Sequence, residues 1–209
     1  MTLISHTNKV AWFAFGLLAV LIGLYPLVYL TMESDMGLLG SKSETLLADP
    51  VWNAAFYGHI SFGGLSLLTG WTQFSRRLRR QYLGVHRRLG AAYVISALLS
   101  GACGVYLSFF ATGGWVAGLG FFLLGISWIF FTVMAYRSVR IRDFQAHGLW
   151  MVYSFAACFA AVTLRLWLPL LSLALGDFIP AYRLVAWLCW VPNLIFAYFW
   201  VKRKGLTLG

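Results

Sequence analysis

Residues 89–110 read LGAAYVISALLSGACGVYLSFF, and residues 115–136 read WVAGLGFFLLGISWIFFTVMAY. Neither stretch holds a charged side chain, and a helix needs only ~20 such residues to cross a ~30 Å hydrocarbon layer. Arginines bracket the pair, with Arg87 and Arg88 before it and Arg137, Arg140 and Arg142 after it. The reading is a membrane hairpin whose open end is basic.

Working outward, four more runs have the same character, at about 10–30, 51–74, 148–172 and 184–201. The whole chain has a mean hydropathy of +0.78, with 61% apolar and 11% charged residues in 209. A soluble domain of that size could not hide so much apolar surface, so a water-soluble enzyme, a disordered protein and a secreted disulfide scaffold are excluded. The expected fold is an all-α polytopic membrane bundle of six transmembrane helices, one integral membrane domain over residues 1–209. The first run is too long for a signal-peptide core and lacks a cleavage site, so it is expected to remain as an anchor. The loop at residues 31–50 is too short to fold alone. Cys103, Cys158 and Cys189 each stand alone in an apolar run, which argues against a disulfide framework.

The charge distribution gives the orientation. Lys9, the arginines between residues 76 and 88, Arg137, Arg140, Arg142 and Lys202–Lys204 fall on one side; Glu33, Asp35, Glu44, Asp49 and Asp177 fall on the other. The positive-inside rule places both termini in the cytoplasm of a bacterial inner membrane. The net charge of +10 is explained by these loops, and no basic patch interleaved with aromatics points to nucleic acid. Trp52, Trp115, Trp167 and Trp187 are expected at the outer interface. Asp49-Pro50 reads as a cap and first-turn proline opening the second span. Tyr25-Pro26 and Pro192 are expected to kink the first and sixth spans.

Arg76, Arg79 and His86 recur as Arg137, Arg140 and His147 at one constant offset, which suggests two helical hairpins repeated about an axis along the membrane normal. Three spans also carry narrow small-and-polar stripes at alternating spacings of four and three. They are His59, Gly63, Ser66, Gly70, Gln73; then His86, Gly90, Tyr93, Ala97, Ser100, Gly104; then His147, Met151, Ser154, Cys158, Ala161, Arg165. Close helix packing accounts for the small residues. The histidines and the arginine need partners, because an ionisable group at membrane depth costs at least ~2.5 kcal/mol on insertion scales. The helical rise places His59 and Arg165 together in the outer third and His86 and His147 together at the inner interface.

The run from His59 to Gln73-Phe74, then His86-Arg87-Arg88-Leu89-Gly90 with Tyr93, then Arg137…Arg140…His147 with Trp150-Met151, then Ala160 to Arg165, resembles a bacterial family of membrane proteins. It is known as domain of unknown function 2306. The resemblance covers about residues 55–172 and carries no activity. Tyr153 departs from the basic-polar pair expected around positions 152–153 in that family.

Three functions remain open on these residues. In the first, His86 and His147 ligate haem b in a small redox protein, and His59, Arg165 and Gln73 line an outer polar cavity for a quinone oxygen or an anion. In the second, the chain is a non-enzymatic carrier or an assembly partner of another membrane protein, with no cofactor. In the third, His86 and His147 hold copper or zinc together with Met151 or Cys158. The bilayer is a partner in all three.

Overall fold

The computed structural model describes residues 3–30 and 38–206, and it is helical with no strand among them. Glu33 and Asp35 lie outside the described residues. Helix α1 (Leu3–Leu24) tightens at Tyr25-Pro26 into a 3-10 segment, Tyr25–Leu30, so the proline ends the α-helix rather than bending it. A single turn, α2 (Glu44–Leu47), leads to α3 (Pro50–Gly70), where the Asp49 carboxylate accepts the Val51 N–H at 2.8 Å and Pro50 takes the first turn. A 3-10 turn (Trp71–Phe74) and the arginine-rich α4 (Arg76–Gln81) connect it to α5 (Leu83–Ser108). Then follow α6 (Trp115–Arg140), α7 (Phe144–Cys158), α8 (Ala160–Leu175), α9 (Phe178–Leu188) and α10 (Val191–Lys204).

Five stretches are long and apolar enough to cross a membrane: Lys9–Tyr29, Leu83–Ser108, Trp115–Arg140, Phe144–Leu175 and Phe178–Lys204. The remaining expected span, the second, is α3, with 21 residues and ~32 Å of helix, but Asn53, His59, Ser61, Ser66 and Thr69 lower its apolarity. It is shielded by α1, α5 and α7. The bundle thus has five apolar spans and one more polar one, α3.

Helix α3 packs on α5, α5 on α6, α6 on α7, and α7 back on α3. This closes a four-helix ring in which α5 and α7 are diagonal and run the same way, away from the arginine-rich end. Leu67, Tyr93, Ala97, Trp128, Met151 and Phe155 fill its interior. Around the ring, α1 leans on α3 and α8, α9 on α6 and α8, and α10 on α7. Small residues set the closest approach. A Cβ on Gly64 would lie 2.4 Å from the Gly23 carbonyl oxygen, so α1 and α3 touch through their backbones.

The last two spans differ from expectation. The fifth runs from Phe144 to Leu175 with a break after Cys158, and the sixth from Phe178 to Lys204 with a break at Cys189-Trp190. Pro192 opens α10 instead of kinking a continuous helix. Carbonyls freed by a break at membrane depth cannot reach water and must be met within the protein. Here they are. The Thr163 hydroxyl donates to the Cys189 carbonyl, and the Asn193 amide donates to Cys189 O at 2.9 Å, Ala156 O at 3.2 Å and Thr163 Oγ1 at 3.2 Å. The two breaks face each other and satisfy each other.

Away from the arginine-rich end, Lys42 donates to the Phe110 carbonyl and to Thr112 Oγ1, and Arg183 Nε donates to Gly113 O at 2.8 Å. These two cations, which stand apart from the arginine-rich end, latch the α5–α6 turn. Burial pushes the Lys42 ammonium below the usual lysine range. Trp52, expected at a lipid interface, is only 2% exposed and stacks on Phe56 with centroids 5.2 Å apart.

Candidate functional sites at two depths

His86 lies in the first turn of α5 and His147 in the first turn of α7. The diagonal, parallel placement of those helices brings both to the arginine-rich end of the ring, within electrostatic range of each other and of Arg79. His147 Nδ1 is 2.9 Å from the Ala135 carbonyl oxygen, which can only accept, so Nδ1 carries the proton and Nε2 keeps a free lone pair. His86 Nδ1 is buried and has no partner.

Gln73 belongs with this group and not with His59 and Arg165. It stands 14 positions along the chain from His59, ~20 Å if helical throughout, so His59 lies near the middle of α3 while Gln73 lies in the 3-10 turn beyond its arginine-rich end. Its Oε1 packs against Gly90, one turn from His86, where a Cβ would come within 3.2 Å; its amide donates to Thr72 Oγ1 at 3.2 Å.

Midway along the ring, four side chains close a circuit. Trp128 Nε1 donates to the Tyr93 hydroxyl at 3.4 Å, and Tyr93 and Ser154 hydroxyls meet at 2.7 Å. Ser154 and Thr132 hydroxyls also meet at 2.7 Å, and Thr132 donates to the Trp128 carbonyl at 2.7 Å. One assignment satisfies every proton: Trp128 to Tyr93, Tyr93 to Ser154, Ser154 to Thr132, Thr132 to the Trp128 carbonyl. A buried polar network so completed is cooperative and fixes helix register.

At the far end, His59 Nδ1 donates to the Ser100 carbonyl at 2.9 Å, while the Ser100 hydroxyl donates to the His59 carbonyl at 2.8 Å. Again Nε2 keeps its lone pair. Gly104 makes the room, since a Cβ there would lie 3.0 Å from the imidazole. Arg165 comes within electrostatic range of His59 from α8. Its Nη1 donates to Ala161 O at 2.9 Å, its guanidinium carbon lies 4.5 Å from the centre of the Tyr25 ring, and its Nε is buried without a partner. Tyr29 is also within electrostatic range of it. No acidic side chain lies in the described spans to neutralise it. The two tyrosines come from the first span and were missed by the stripe pattern, which held only the second, third and fifth. The Tyr25-Pro26 signal pointed there, because the proline turns the chain into the 3-10 segment that presents both rings.

Met151 and Cys158, the soft donors considered with His147, both lie in the apolar core. No group of three or more His, Cys, Asp or Glu comes together among the described residues.

The stripes on α5 and α7–α8 correspond position by position at the hairpin offset, from His86 and His147 through Tyr93 and Ser154 to Gly104 and Arg165. The fold defines a polytopic helical membrane protein. The chain belongs to the family described as "Predicted membrane protein (DUF2306)", whose model matches residues 56–201 and so includes the last span as well as the four in the quoted run. No curated protein and no solved structure matches the chain.

Proposed function

We propose that the chain is a small redox protein of the bacterial inner membrane, with both termini cytoplasmic, in which His86 and His147 hold one haem b. The far pocket at His59 and Arg165 would admit an anion or a quinone oxygen. The observation that carries the reading is the pair of imidazoles at one depth on diagonal parallel helices. One has an Nδ1–H anchored on a backbone carbonyl with Nε2 free, and the other has a buried ring nitrogen without a partner. Anchoring of one ring nitrogen to a carbonyl is how a ligating histidine is oriented. Arg79, beside both rings, is placed to neutralise propionate charge. When bound, haem would supply one-electron chemistry; the protein's part is to hold the two imidazoles and keep water from the core.

Extraction of haem from protein purified in mild detergent tests the reading. One haem per chain is expected. Protein that never carries haem, even when expressed with haem supplied, would leave a cofactor-free membrane carrier or assembly component as the function.

A further inference from the structure

We infer that the far pocket binds the reduced, hydroxyl-bearing form of a membrane quinone, a hydroquinone, with His59 accepting its O–H proton and Arg165 facing the oxyanion that remains. The inference deepens the far-pocket half of the reading above and is independent of haem.

The pocket presents two unlike groups. His59 is held by Ser100 as the Nδ1–H tautomer, so its Nε2 can only accept a hydrogen bond or a proton. Arg165 is a permanent cation whose Nε–H is buried and unmatched, and no carboxylate lies in the spans. An anion such as a lipid phosphate offers acceptors alone and would place a lone pair against that of His59. An oxidised quinone also offers acceptors alone. A hydroquinone offers an O–H to His59, and once its proton has moved it offers an oxyanion to Arg165. In that transfer the ligand O–H bond breaks and an N–H bond forms at Nε2, with no change of oxidation state. Aromatic rings, suited to a flat aromatic ligand, flank the cation: Tyr25 lies beneath the guanidinium, Tyr29 stands edge-on to the Tyr25 ring at 5.9 Å, and Phe56 lies 5.3 Å from Tyr29. His59, Tyr25, Tyr29 and Arg165 each keep part of their surface exposed.

The test is quenching of tryptophan fluorescence by decylhydroquinone, using the full chain in phosphatidylcholine nanodiscs. Saturable binding is expected, weakened about tenfold or more by His59→Leu and by Arg165→Leu, and unchanged by Ile141→Ala, an exposed position at the arginine-rich end. Decyl phosphate is expected to compete poorly. If Arg165→Leu does not insert, Tyr25→Leu takes its place in the same assay with the same expected loss. Saturable binding insensitive to these substitutions, absence of binding, or decyl phosphate competing on equal terms would overturn the inference. Haem content measured on the same samples keeps failure of the haem reading separate from failure of this one.

Discussion

Tyr93 and Ser154 stand 61 residues apart, the offset at which His86 recurs as His147, and their hydroxyls meet at 2.7 Å in the centre of the ring. At the same offset, His86 lies within electrostatic range of His147 at the arginine-rich end. The offset also carries an asymmetry: where α5 has Gly104, leaving space for His59, α8 has Arg165.

The hydroxyl circuit gives a stability expectation. Ser154→Ala leaves the Tyr93 proton without its acceptor and should destabilise by about 1–3 kcal/mol. Tyr93→Phe should cost a similar amount, about 1–3 kcal/mol, and the double variant clearly less than the sum. Unfolding in a graded detergent titration would measure all three; strict additivity would mean that the circuit is not one unit.

Arg142 adopts φ +63° in the α6–α7 turn, just before Asp143 caps α7 by accepting the Ala146 N–H at 2.9 Å. The left-handed region strains a side chain but not glycine. Arg142→Gly should therefore stabilise the protein by up to about 1 kcal/mol in the same titration, because relief of strain outweighs the added freedom of the unfolded chain. A loss of more than that would show that the arginine side chain holds the turn.

Lys42 supplies a pH dependence. Its folded value lies below that of a free lysine, near 10.4, so the open loop binds the proton more tightly than the closed one between the two values. Closure should strengthen as the pH rises through that alkaline range and weaken below it. Limited proteolysis of residues 38–49 in proteoliposomes, normalised to a Lys42→Met variant, should slow from pH 7 towards pH 10; a rate that does not fall relative to that variant would contradict the latch.

Reporter fusions at residues 40, 113 and 178 should all read as external, because each follows an odd-numbered span when the arginine-rich loops are cytoplasmic. A cytoplasmic signal at any of the three would overturn the orientation.

Much of this was legible from residue patterns that are local to one helix. The apolar runs, the Asp49-Pro50 start and the three stripes needed only the period of a helix, and the helical rise alone paired His59 with Arg165 in depth. What was not legible depends on meetings between distant segments. Thr163 and Asn193 stand 30 residues apart, and nothing near either announces that they satisfy two helix breaks. Tyr25 looked like the neighbour of a kinking proline, because the guanidinium it carries comes from the fifth span. Gln73 shares a stripe with His59, yet a stripe fixes a face and not a depth, and Gln73 falls in the 3-10 turn past the end of α3.

The central claim is that His86 and His147 share one haem, and its most direct test is the visible absorption of purified protein before and after dithionite. The expected result is a Soret band that sharpens and shifts on reduction, is lost in both His86→Ala and His147→Ala, and persists in His59→Leu. A wild-type protein reconstituted with haem that shows no such band, or a band that survives loss of either histidine, would contradict it.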